Sequence, residues 1–143
     1  VLLGILYSIT NSACTDNENE DSFCDPCLIE IDGTYVEADL DKEPEYLNGG
    51  FEGFKNNMGE ALRYPAEARQ NSVEGEAIVT YIVTPEGKTE QFELVSDPGA
   101  GIGAATISAL TLVTEGISFS PGEIDDQPVP LKLELSVVFR LEG

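Results

Sequence analysis

Histidine and tryptophan are absent from this 143-residue chain, and basic residues are scarce. Without histidine, the chain lacks the usual general base of serine and cysteine hydrolases and the commonest metal ligand in proteins. An enzyme would have to rely on carboxylates, lysine or tyrosine. The acidic pair Asp125-Asp126 lies in a stretch rich in glycine and proline, which predicts solvated side chains. We therefore expect no enzymatic activity, no cofactor and no metal.

The shortage of basic residues leaves a strongly negative chain, with 27 acidic residues against 7 basic ones and a formal net charge of −20. Residues 14–50 carry a net charge of −11, and the much longer stretch 51–143 carries −9. Such a chain repels the phosphates of nucleic acids, so binding to DNA or RNA is disfavoured. Its length and its 41% hydrophobic content fit one packed domain plus a tail.

Residues 1–13 form an apolar stretch that ends in small and polar residues ahead of Cys14. This order resembles the processing site of bacterial lipoproteins, in which the cysteine becomes the lipid-modified N-terminus. The resemblance implies cleavage ahead of Cys14 and a lipid anchor. Asn11 departs from the pattern, because an apolar residue is usual there. Alternatively, the stretch alternates as a β-strand does, and it would then pair with a sheet edge.

Residues 14–43 form an acidic tail that we expect to be solvated and mostly irregular. In some lipoproteins, an acidic stretch after the lipidated cysteine resembles an address for the cell surface; a plain spacer is the alternative. A calcium loop is disfavoured, because Asp21 stands where an EF-hand needs glycine. Cys24 and Cys27 form a C-x-x-C motif. No helix follows it, because residues 28–40 have the pattern of a short strand and turn, and a zinc site lacks a fourth ligand. We expect a Cys24–Cys27 disulfide, with free or metal-bound thiols as the alternative.

From residue 44 onwards, the apolar pattern becomes regular. It predicts helices over 51–62, 65–71 and 104–116, a β-hairpin over 73–96 and a final strand over 131–141. A right-handed crossover places the last strand beside the first. The predicted fold class is α+β: a three-stranded antiparallel sheet of order 2-1-3, with helices on one face and the last strand at an edge.

Several short motifs mark the region 44–143. "PEYLNGG" precedes the first helix, Tyr-Pro the second, and "FSPG" and "QPVP" the last strand. Together they resemble the C-terminal domain of TonB, which contacts outer-membrane transporters in Gram-negative bacteria. The tryptophan that usually precedes "PG" is absent, and "GAGIGAA" replaces the acidic residue that commonly opens the second long helix. The residues that match the family motif are Tyr64, Pro65, Gly75, Gly87, Pro121 and Gly122.

The resemblance implies a non-enzymatic protein-binding module of the cell envelope. We expect an outer-membrane lipoprotein, periplasmic or surface-facing, that adds an extended partner segment to its last strand. The expected partner is an envelope protein such as an outer-membrane β-barrel transporter. The two cations of the last strand would select an acidic segment; the alternative is that both are simply solvated on the outer face of the sheet. The expected binding residues are Lys132, Glu134, Ser136, Val138 and Arg140.

The alternative is a structural subunit, either a homo-oligomer or part of a multi-protein surface complex, in which residues 4–10 serve as a donor strand. The chain has 36 residues between Cys14 and Phe51, which extend over at most about 120–130 Å. If Cys14 is anchored in the outer membrane, the protein has no link to an inner-membrane motor. We therefore do not expect energy transduction by this chain.

Overall fold

The computed structural model of the protein describes residues 5–11, Phe23 and residues 27–141. Ten strands and three helices make up this part of the chain. Its elements are β1 (Ile5–Asn11), β2 (Cys27–Ile31), β3 (Thr34–Ala38), β4 (Glu45–Tyr46), α1 (Gly50–Ala61), α2 (Ala66–Gln70), β5 (Gly75–Val83), β6 (Thr89–Ser96), α3 (Ile102–Val113), β7 (Phe119–Ser120), β8 (Gly122–Ile124), β9 (Gln127–Val129) and β10 (Leu131–Leu141).

One antiparallel sheet organises the fold, in the strand order β3-β2-β10-β5-β6, and β1 also pairs with β10. The α+β class is confirmed, and β6, β5 and β10 lie in the predicted order of second, first and third. The predicted number of strands is wrong, because the sheet has six strands rather than three. The additional strands come from residues 5–11, for which a strand was one of two interpretations, and from residues 27–38, where the sequence predicted a short strand and turn within a mostly irregular tail.

The hairpin of β2 and β3 forms because its turn residues accept a left-handed backbone. Asp32 and Gly33 have φ angles of 52° and 82°. Two consecutive left-handed residues match the twist of the flanking strands, which is why Asp-Gly is frequent in two-residue hairpin turns. The pairing runs from Cys27 opposite Ala38 to Ile31 opposite Thr34.

The core lies between one face of the sheet and the helices. Odd-numbered residues of β5 and β10 point into it, as their alternation predicts. In α1, Phe51, Phe54 and Met58 are buried. The threonines of α3, unusual in a helix, donate their hydroxyls to carbonyls four residues earlier, as Thr106 does to Ile102 over 2.9 Å. A hydroxyl that is bonded in this way is buried at little cost.

Phe23 connects the acidic tail to the core. Its side chain is only 3% exposed. Its ring meets those of Phe51, Phe54 and Phe119 edge to face, with centroid distances of 5.1, 5.3 and 5.1 Å. Edge-to-face contacts are favourable because the positive ring edge meets the negative ring face. The expectation that the tail is solvated is therefore wrong at this residue. The domain boundary at residue 44 stays a prediction.

Candidate partner-binding edge

Strand β10 directs the peptide groups of alternate residues to opposite sides. The N–H of Leu141 donates to Glu74 Oε2, just ahead of β5, over 2.6 Å. Thr84 directly follows β5. Its N–H donates to the carbonyl of Lys88 and its carbonyl accepts the N–H of Gly87, so both groups point toward β6. Because peptide groups alternate along a strand, odd-numbered residues of β5 and β10 bond to each other. The groups that point to the other side of β10 belong to Lys132, Glu134, Ser136, Val138 and Arg140.

That other side of β10 is already paired. Strand β1 lies antiparallel along Leu135–Leu141. Strand β2 continues on the same side, opposite Leu131 and Lys132. The prediction that the last strand forms an edge of the sheet is therefore wrong. The N–H and C=O groups that an edge strand would leave unpaired are paired here with β1. The alternative interpretation of that segment, as a strand on a sheet edge, is confirmed. Partner binding by the five residues stays a prediction.

The lysine at the start of β10 is engaged within the protein. Lys132 Nζ lies 5.2 Å from the centroid of the Tyr35 ring, an arrangement in which the ring face attracts the cation. Burial, followed by the negative charges of Glu30 and Glu90, raises the pKa of Tyr35. This lysine is therefore less available to an acidic partner than the sequence indicated.

The other end of β10 combines one cation with two carboxylates. Arg140 is exposed and lines a shallow groove together with Glu74 and Glu76. Ser136 Oγ donates a hydrogen bond to Glu76 Oε2. The surface along β10 is therefore close to balanced in charge rather than basic.

The family of the chain follows from its sequence match. The family described as Gram-negative bacterial TonB protein C-terminal matches residues 60–141, more than half of the chain. The chain belongs to this family. No curated protein and no solved structure matches it. Membership makes the chain a TonB-like protein-interaction module of the Gram-negative cell envelope, in a family whose domains are not enzymes.

The Tyr-Pro motif of this TonB-like chain fixes the end of β10. Tyr64 donates its hydroxyl to the carbonyl of Val73, and its ring meets that of Phe139 edge to face at 5.5 Å. Burial, followed by the charge of Glu74, raises the pKa of Tyr64. Pro65 is the N-cap residue of α2. The motif thus connects the short helix to β10 through one hydrogen bond and one ring contact.

The glycines of the family motif permit close approaches of the backbone. Gly87, with a φ of 90°, lies against the start of β7, and a Cβ at this position would be 2.0 Å from the carbonyl oxygen of Phe119. Its own carbonyl accepts the N–H groups of Ser118 and Phe119. At Gly122, beside Pro121, a Cβ would be 2.6 Å from the Leu131 side chain. At Gly75 it would be 2.9 Å from that of Pro98. These residues shape the scaffold around β10 rather than a binding surface.

Of the three cysteines for which the sequence makes predictions, the described residues include only Cys27. Cys27 is buried and disulfide-bonded. Cys14 and Cys24 lie outside the described residues, so the Cys24–Cys27 pairing and the lipidation of Cys14 stay predictions. Among residues 5–11, 23 and 27–141, no cluster of metal-ligating side chains occurs. In the same part of the chain, no helix is long and apolar enough to cross a membrane.

Several contacts around β10 were not predicted from the sequence. The strand-and-turn pattern of residues 28–40 indicated strands β2 and β3, and Asp32-Gly33 indicated their hairpin turn, but neither indicated that Tyr35 lies beside Lys132. The roles of Glu74 and Glu76 had no signal, because both are ordinary polar positions in a strand pattern. Phe23 had none either, since a single aromatic in an acidic run has no periodicity.

Proposed function

We propose that this chain is a TonB-like binding module, held to the outer membrane by a lipid on Cys14, that captures an extended segment of an envelope protein on β10. The observation that supports this most directly is the row of peptide groups on β10, which β1 and β2 already use for antiparallel pairing. The partner segment takes the place of β1. A TonB-dependent outer-membrane β-barrel transporter is the kind of partner that the family favours.

Capture of this kind draws its affinity from the backbone. The seven residues of β10 that face β1 accept a segment about 24 Å long, at ~3.4 Å per residue. Main-chain hydrogen bonds hold such a segment whatever its sequence, and the alternating side chains select it. The peptide group of Val138 lies near the middle of this stretch and points toward the partner.

A proline at position 138 tests the capture. Val138→Pro removes the N–H that points to the partner and leaves the hydrogen bonds to β5 in place, because those come from odd-numbered residues. Val138→Thr keeps the N–H and the shape of the side chain, and it serves as the matched control. We expect the partner to co-purify from detergent-solubilised envelopes with wild type and Val138→Thr but not with Val138→Pro. Co-purification of the partner with the folded Val138→Pro variant would refute capture on β10.

The intact mass of the native protein tests the anchor. We expect a chain that begins at Cys14 and carries the added mass of a lipid. A native chain that retains residues 1–13 without added mass would exclude the lipid anchor.

A second candidate function is a structural subunit that assembles with copies of itself. The pairing of β1 with β10 favours it, since the same pairing between two chains would exchange donor strands. In that case, light scattering on the native protein gives an oligomer, and residues 1–13 remain attached. A monomer that begins at Cys14 would exclude this alternative.

A further inference from the structure

The strand that covers β10 lies wholly within the segment that lipoprotein processing would remove. Strand β1 spans Ile5–Asn11, ahead of Cys14, and accounts for the pairing of Leu135–Leu141. Strand β2 lies beyond Cys14 and pairs with β10 only at Leu131 and Lys132. The pairing of β10 on this side thus depends on two segments that lie on opposite sides of the processing site.

We propose that cleavage ahead of Cys14 removes β1 and opens Leu135–Leu141 to an uncharged, extended partner segment that runs antiparallel to β10. This inference rests on the proposed function, in which Cys14 becomes the lipid-modified N-terminus. The uncleaved chain occupies its own binding edge, and the mature chain presents that edge vacant. The domain therefore becomes competent to bind only after it has been anchored.

Strand β10 has enough other contacts to stay in place without β1. On its opposite side it pairs with β5 from Leu131 to Phe139. The side chains of Leu133, Leu135, Val137 and Phe139 are buried in the core. Beyond the end of β5, Glu74 accepts the N–H of Leu141. Removal of β1 therefore leaves a strand whose outward peptide groups are free and whose inward ones remain bonded.

The chemistry of the partner follows from the present occupant and from the charges beside it. Residues 5–11, ILYSITN, contain no charged side chain. Lys132 lies outside the opened stretch and contacts the Tyr35 ring. Arg140 shares its groove with Glu74 and Glu76. Since residues 51–143 carry a net charge of −9, an acidic segment is repelled at longer range. An uncharged segment needs no free cation on β10 and is not repelled by the negative charge of the domain.

Hydrogen exchange on the full chain tests whether the edge opens. A protease recognition sequence inserted between Ala13 and Cys14 allows the chain to be cut after it has folded, and gel filtration then removes the released segment. In the cut chain, we expect amide exchange to accelerate at least tenfold at Ser136, Val138 and Arg140. The amides of Val137 and Phe139 should stay protected. This alternation is the signature of a strand that has lost one neighbour and kept the other.

Peptide binding tests the partner chemistry. A fluorescent peptide of residues 4–12 should bind the cut chain at least tenfold more tightly than the uncut chain, and Val138→Pro in the cut chain should abolish the binding. Affinity should change less than twofold between 50 and 500 mM NaCl. Position 10 lies opposite Ser136 and near Glu134 and Glu76, so a glutamate there meets like charge. A peptide with Thr10→Glu should therefore bind several-fold more weakly.

Three results would overturn the inference. Unchanged exchange and unchanged peptide binding after cutting would show that cleavage does not open the edge. Rapid exchange at Val137 and Phe139 as well would show that β1 is part of the fold rather than a removable occupant. Equal or tighter binding of the Thr10→Glu peptide would show that the edge does not disfavour acidic segments. None of these results depends on the lipid, whereas a native chain that retains residues 1–13 would refute the proposed anchor and leave the cut-chain results intact.

Discussion

Replacement of Phe23 by alanine measures whether the acidic tail is part of the folded domain. The ring is almost fully buried and touches three other aromatic rings. An aromatic side chain buries about 150–250 Å², which at about 25 cal/mol per Å² corresponds to about 4–6 kcal/mol as an upper bound. Phenylalanine-to-alanine substitutions in cores cost about 3–5 kcal/mol. We therefore expect Phe23→Ala to lower the free energy of unfolding by about 3–5 kcal/mol.

Urea unfolding provides the assay. The chain has no tryptophan, so far-UV circular dichroism and tyrosine fluorescence follow the transition. With a slope of about 2 kcal/mol per M, the midpoint should fall by about 1.5–2.5 M. Leu112→Ala, at a leucine that is 63% exposed, is the control and should change stability by less than about 0.5 kcal/mol. A loss below 0.5 kcal/mol for Phe23→Ala would show that the tail is a spacer and that the domain begins near residue 44.

Two further predictions concern the scaffold of β10. Gly87→Ala should lower the free energy of unfolding by about 2–4 kcal/mol, because its Cβ would meet the Phe119 carbonyl. Gly116 also has a left-handed backbone, but a Cβ there would have no atom within 4 Å, so Gly116→Ala should cost only about 1–2 kcal/mol. Equal losses of unfolding free energy for the two variants would contradict the clash at Gly87. Burial holds the pKa of Tyr81 well above its ordinary value, so the folded protein keeps a proton that the unfolded chain loses above about pH 10. The free energy of unfolding should therefore fall by up to about 1.4 kcal/mol per pH unit above pH 10. In Tyr81→Phe, the decrease of this free energy with pH, measured by urea unfolding, should be visibly smaller. The same decrease in both proteins would contradict the prediction.

The central part of the fold was predictable because its signals are local. Strict alternation from Leu131 to Leu141 gives both the strand and its buried face, and the apolar stripe of Phe51, Phe54 and Met58 gives α1. The order of β6, β5 and β10 follows from the handedness of the crossover. Each of these inferences needs only a short window of sequence or a general rule of connection.

The neighbours of β10 on its other side were not predictable in the same way. Periodicity shows that a strand has a polar and an apolar face, but it does not show which distant strand will satisfy its peptide groups. The segments 5–11 and 27–31 both pair with β10, although they lie at the opposite end of the chain. The sequence left the first segment with two uses, a processed leader and a sheet strand. In the maturation that we propose, the segment has both uses: it is a sheet strand before cleavage and a removed leader afterwards.

The position of β10 also governs when the protein can fold. It follows the other described strands in sequence, yet it is the strand with which β1, β2 and β5 all pair. Pairing between the two ends of a chain has to overcome the loop-closure entropy of nearly its whole length, so sheets of this kind form slowly, in milliseconds to seconds. A growing chain without residues 131–141 has the strands of the β2–β3 and β5–β6 hairpins but lacks the strand that joins them and β1 into one sheet. The sheet is therefore completed only after residues 131–141 have been synthesised, and until then the β2–β3 hairpin and the β5–β6 hairpin are not joined.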